Sequence, residues 1–238
     1  MKPTEIPMFD AKKLLDQFLG AQVPGSTGTV KQKAGDAVQL AKDNPLASGA
    51  IAAVLLGTKT GRSLAGNALT LGGLAAIAGI GYQAYKNYQA GKAPQDVAEA
   101  EQKLLPPPAD SPFSLEAPAA SNDFALTLVR AMIAAAKSDG HIDASERARV
   151  MDKIHLSGLG AEAEAFLEKE LATPTDVDAL VKAAVSEEQK VELYTASRLA
   201  IDPDSRAERG YLDLLAGRLG LADGLVDHIE ATVTAAQV

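Results

Sequence analysis

Between Arg62 and Lys86 the chain runs for 23 residues, Ser63 to Tyr85, with no ionisable side chain except those of Tyr82 and Tyr85. No other stretch limits the fold as strongly. A helix without a charged face has to be covered on every side, in a protein interface or in lipid. As an α-helix the run would be about 35 Å long, enough to cross a hydrocarbon layer of roughly 30 Å. Arg62 and Lys86 bracket it. Tyr82, Tyr85 and Tyr88 gather at its far end, where aromatic rings favour the headgroup level of a bilayer. Gly66, Gly72, Gly73, Gly79 and Gly81 weaken it as a helix in water, yet small residues let helices approach closely in a membrane. The reading is a single membrane span, with a helix buried in a protein interface as its competitor. A shorter uncharged run, Gly49 to Gly57, cannot cross a bilayer alone. Gly57 and Gly61 have the small-xxx-small spacing that favours self-association.

The charge distribution supports a division. Residues 1–92 carry a net charge of +5 and residues 93–238 a net charge of −13, within an overall −8. A basic, apolar half suits an anionic membrane surface. The acidic half repels phosphate, which argues against nucleic acid as a partner. The chain has no Cys, so disulfides, thiolate metal sites and Cys nucleophiles are excluded. Asp10, Lys12, Lys13 and Asp16 break any apolar signal-peptide core in the first 20 residues. Eight Lys or Arg precede the long apolar run and three follow it closely, which places the N-terminus in the cytoplasm if the run is a single span.

Four regions are expected. Residues 1–48 comprise an amphipathic helix, Phe9 to Leu19, and a flexible Gly/Ser/Thr/Lys linker; the helix is read either as packed on the protein's own body or as a docking element. Residues 49–92 are the Gly/Ala-rich membrane segment. Residues 93–121 form a linker stiffened by Pro106, Pro107, Pro108, Pro112 and Pro118. Residues 122–238 form an acidic, all-α domain. Phe124, Leu128, Met132 and Ala135 make one buried stripe, capped by Asn122 or Asp123. A second stripe of Val150, Met151 and Ile154 ends at Gly158. Further helices follow over 161–171, 176–185, 187–201, 206–219 and 222–235, which makes seven with no convincing strand. Ser186 and Gln189 have capping-box spacing. Glu146 through Leu159 aligns with Glu208 through Leu221 as an internal helix-turn-helix duplication, and such a repeat can bring its two acidic turns together.

Those turns are Ser138-Asp139-Gly140-His141-Ile142-Asp143-Ala144-Ser145-Glu146 and Ile201-Asp202-Pro203-Asp204-Ser205-Arg206-Ala207-Glu208. With the closing Gly-Leu pairs they resemble the TerB-like (tellurite-resistance B) helical family. The Gly-rich segment before a Pro-rich linker is similar to that family's membrane-anchored, uncharacterised bacterial inner-membrane branch. The resemblance implies a seven-helix bundle, an acidic metal site, a role in tellurite and stress resistance, membrane-linked protein complexes and no established catalysis. Asp139, Asp143 and Glu146 match the family's first acidic motif. Asp202 and Glu208 match the second less closely, because Pro203 stands where Gly is expected.

From the residues themselves two readings stay open. Asp139, Asp143, Glu146, Asp202, Asp204 and Glu208 offer oxygen ligands suited to Ca²⁺ or Mg²⁺. Asp143 with Glu146, and Ser205 with Glu208, are equally capping boxes that need no metal. An EF-hand is excluded, because counting from Asp139 puts Ala144 at the glycine position and Val150 at the closing glutamate. His141, His155 and His228 lack ligand spacing, and no phosphate loop, catalytic triad or HExxH is present. The expectation is a non-enzymatic, membrane-anchored module with membrane and protein partners or self-association; the alternative is a divalent-metal sensor or sequestration domain.

Overall fold

The structure, a computed structural model, describes residues 10–18, 73–94, 106–114, 121–138, 151, 160–201 and 203–236. Among them are eight helices and no strand: α1 (Ala11–Phe18), α2 (Gly73–Gln89), α3 (Asn122–Ala136), α4 (Ala161–Ala172), α5 (Val177–Ala183), α6 (Glu187–Ala200), α7 (Arg206–Leu219) and α8 (Asp223–Ala236). The helix expected around Val150 lies outside the described residues except for Met151, which is helical and packs on the core.

Local chemistry explains where most helices start and stop. Ser121, not Asn122 or Asp123, caps α3, accepting from the Phe124 N–H at 3.2 Å. Asn122 instead accepts from the Ala11 N–H at 2.7 Å and so satisfies a free donor at the start of α1. Asp176 caps α5. Ser186 and Ser205 each form a reciprocal capping box, with Gln189 and Glu208 at the third helical position. Gly220 ends α7 at φ +69°, a left-handed conformation that glycine adopts without a Cβ penalty.

The bundle is built around α6, which packs against α2, α3, α7 and α8. On one side α3 packs against α1, α4, α5 and α7 as well, and on the other α2 contacts α1 and α8. One hydrophobic core runs through all of these, from Leu14 and Leu15 through Ile77, Ile80 and Phe113 to Leu128, Leu193, Leu215 and Ile229. The N-terminal amphipathic helix is therefore packed on the protein's own body, with Leu14 and Leu15 fully buried.

The apolar run is where sequence and structure differ most. Its described part, α2, is 17 residues long and lies inside the bundle, with every residue from Gly73 to Gly81 buried. No helix among the described residues is long and apolar enough to cross a membrane. The Pro-rich segment also departs from an extended spacer. Residues 106–114 turn twice, with Ser111 and Ser114 N–H groups bonded to the Pro108 and Ser111 carbonyls at 3.0 and 2.9 Å. The turns bring Phe113 into the core between Tyr82 and Tyr85, at ring distances of 6.0 and 5.8 Å. Gly81 eases this contact: a Cβ there would lie 3.2 Å from Val191 and 3.3 Å from Phe113, so these side chains would have to give by a few tenths of an ångström.

Candidate functional site

Of the six acidic residues singled out, Asp139, Asp143, Glu146 and Asp202 lie outside the described residues. Asp204 and Glu208 are placed at the N-terminus of α7. The Glu208 carboxylate accepts from the Ser205 N–H at 2.9 Å, while Ser205 Oγ accepts from the Glu208 N–H at 3.1 Å. Asp204 is exposed. Arg209 curls back so that its guanidinium donates to the Pro203 and Asp204 carbonyls at 2.8 and 2.9 Å. A cation of the protein's own thus occupies the carbonyl oxygens that this turn would offer a hard metal ion. Among the described residues no group of three or more His, Asp or Glu is arranged to hold a metal.

Two other places concentrate polar chemistry. The first is a half-open groove of about 260 Å³ between α3 and α5, floored by Ile133, Ala134 and Leu180. Its cations are committed to holding α4. Arg130 Nε bonds the Glu170 carboxylate at 2.9 Å, and its guanidinium lies over the Phe166 ring. Lys137 donates to the backbone carbonyls of Thr173 and, at 3.4 Å, of Glu170, so it closes the C-terminal end of α4. Burial pulls the Lys137 ammonium below the usual lysine range, against the opposing pull of Glu170.

The second is the seam where α2, α6 and α8 meet. On its α6 side the polar groups are tied. Arg198 Nε pairs with Glu230 at 2.5 Å, and Arg198 also donates to the Ile201 carbonyl at 2.9 Å. Tyr194 donates to the other Glu230 oxygen at 2.9 Å. Burial and the neighbouring Glu230 carboxylate push the Tyr194 phenol far above its ordinary range, so it stays a donor. Two groups of α6 stand apart: Thr195 Oγ1 is buried without a hydrogen-bond partner among the described residues, and burial, reinforced by Glu188, raises the carboxyl of Glu192, six per cent exposed, to about 8.

On the α2–α8 side two buried atoms are not tied. Asn87 and His228 are buried, yet Asn87 Nδ2 and His228 Nδ1 have no hydrogen-bond partner among the described residues. Tyr88 stands edge-on to His228 at 6.0 Å between ring centroids. A buried polar atom left without a partner costs about 1–3 kcal/mol. Sequence reading set His228 aside for lack of ligand spacing and did not single out Asn87. The available signal was a lone amide just past the apolar run. The Tyr194–Arg198–Glu230 cluster was visible only as a four-residue spacing on α6, and nothing local points to Glu230 as the third member.

The sequence is similar to proteins whose descriptions name no function. A protein of Yersinia enterocolitica described as "Uncharacterized protein in ampR 5'region" is 33% identical over 106 residues, covering 44% of this chain and 76% of that protein. No solved structure matches. Residues 41–233 match the family described as "Protein of unknown function (DUF533)". That range takes in α2, the Pro-rich segment and nearly all of α8, so the match covers the bundle rather than one end of it. The chain belongs to the DUF533 family, within the TerB-like superfamily.

Proposed function

We propose that this chain is a non-enzymatic helical module of the bacterial inner membrane that acts through contact with other proteins, in a stress-related role. The observation that carries the membrane part is α2. It is covered all round from Gly73 to Gly81, and it completes a 23-residue run without charge, bracketed by Arg62 and Lys86. Such a helix is compatible with lipid on every face. Tyr82, Tyr85, Lys86 and Tyr88 at its C-terminal end are the residue types that settle at a membrane interface. The stress-related role rests on the TerB-like resemblance alone. Cell fractionation tests the anchor. Part of the full-length protein should pellet with membranes and resist salt and carbonate washes there; its absence from the membrane fraction would remove the membrane from the proposal.

A further inference from the structure

We propose that α2 is a membrane-inserting helix stored in the bundle, and that it exchanges between the seam with α6 and α8 and a phospholipid bilayer. This deepens the membrane reading above and rests on it.

The two placements of α2 require the same chemistry. Gly73 through Gly81 present no side chain that needs water, so the helix is equally covered by protein or by acyl chains. Its contact surface in the bundle is also smooth. Between Leu74, Ile77 and Ile80 it offers only glycine and alanine. The neighbours stay behind when it leaves. α6 and α8 are joined to each other by Arg198, Tyr194 and Glu230, none of which bonds α2.

The α2–α8 contact holds two unsatisfied polar atoms. Asn87 Nδ2 on α2 and His228 Nδ1 on α8 are both buried without partners, on the two helices that face each other there. Tyr88, 38% exposed, bridges the same end by resting on His228 and against Gly224. In a bilayer, Tyr82, Tyr85, Lys86, Asn87 and Tyr88 would lie at the headgroup level, where the amide is hydrated and the rings are favoured. On release His228 would reach water. Leaving the seam therefore removes two unsatisfied groups that remaining in it maintains.

Because the chain has no Cys, a disulfide can be placed without interference. Gly81 on α2 and Val191 on α6 touch, with 3.2 Å between a Cβ on Gly81 and Val191 Cγ1. The full chain carrying Gly81→Cys and Val191→Cys is mixed with vesicles of phosphatidylethanolamine and phosphatidylglycerol and floated on a density gradient. The reduced protein should float. Oxidation should lower the floated fraction at least tenfold, and dithiothreitol should restore it. If the oxidised and reduced forms float equally, exchange is overturned while membrane binding stands. If neither the wild type nor the reduced variant floats, membrane binding falls too.

A second measurement avoids the double substitution. The chain has no Trp, so Tyr82→Trp gives a single fluorophore that Phe113 shields in the bundle. Vesicles containing brominated acyl chains should quench it. A protein that floats without quenching binds lipid by some other surface, and that result also overturns exchange.

Discussion

Two stretches of helix in this bundle are buried all round, and they have opposite compositions. α2 is covered from Gly73 to Gly81 and α6 from Val191 to Ala200. α2 reaches burial by having nothing to solvate. α6 carries Glu192, Tyr194, Thr195, Ser197 and Arg198 inward and reaches burial by satisfying most of them within the protein. Burial alone therefore does not say what a helix is for. A helix held by named polar partners has only one environment in which those partners exist. A helix held by area and shape can be held by any apolar surroundings. By this comparison α6 is the fixed axis of the fold and α2 the transferable element.

The largest effect should come from breaking the polar side of the comparison. Glu230→Ala leaves the Arg198 guanidinium, eight per cent exposed, without its carboxylate and Tyr194 without its acceptor. Removing one partner of such a pair costs about 3 kcal/mol, read as a lower urea midpoint. Vesicle binding per folded molecule should not fall. Gly81→Leu acts on the apolar side. Its side chain meets Val191 and Phe113, and overpacking of this kind costs about 2 kcal/mol. The same substitution makes α2 more lipophilic, so the bundle should melt earlier while the vesicle-bound fraction rises. A fall in both would make α2 an ordinary core helix.

Glu192 sharpens the comparison through pH. Its folded-state carboxyl is raised to about 8, above the ordinary 4.5. The folded state holds the proton more tightly, so this group's contribution is fully present below about pH 4.5 and is lost as pH rises towards 8. Glu192→Gln should be close to the wild type near pH 5 and gain roughly 3 to 4 kcal/mol relative to it by pH 8. Urea melts at the two pH values read this directly. A constant difference at both would mean that the carboxyl is already ionised and partnered.

The sequence made the helices legible where the signal is local. Ser186 with Gln189, Ser205 with Glu208, and Gly220 after Leu219 mark boundaries by chemistry within one turn of chain. Placement of the apolar run was not legible. Absence of charge states that Ser63 to Tyr85 needs cover, but the cover found by its described part, from Gly73 on, comes from α6, α8 and Phe113, far away in sequence. The proline run similarly excluded a helix but did not foretell that Phe113 would turn back onto α2. Of the candidate site, the capping role of Glu208 could be read in advance. The Arg209 contact that competes with a metal ion could not, because it depends on how Pro203 and Asp204 turn their carbonyls.

The smallest predicted effect separates a cap from a cation site. Ser205→Ala removes the acceptor for the Glu208 N–H and should cost about 1 kcal/mol. Glu208→Gln keeps an oxygen to receive the Ser205 N–H, since glutamine serves at this position as glutamate does. It should therefore change stability by less than about 0.5 kcal/mol, within the ordinary range for a surface substitution. A cation ligand behaves differently: the loss of charge would abolish binding, and a ligand bound only to the folded state raises the melting midpoint by mass action. Thermal melts of the full chain in EDTA, Ca²⁺ and Mg²⁺ should coincide for the wild type and for Glu208→Gln. A cation-dependent rise lost in Glu208→Gln would displace Arg209 from its role and restore the metal reading at the second turn. A rise lost only in Asp139→Asn would assign it to the first turn and leave the second as a cap.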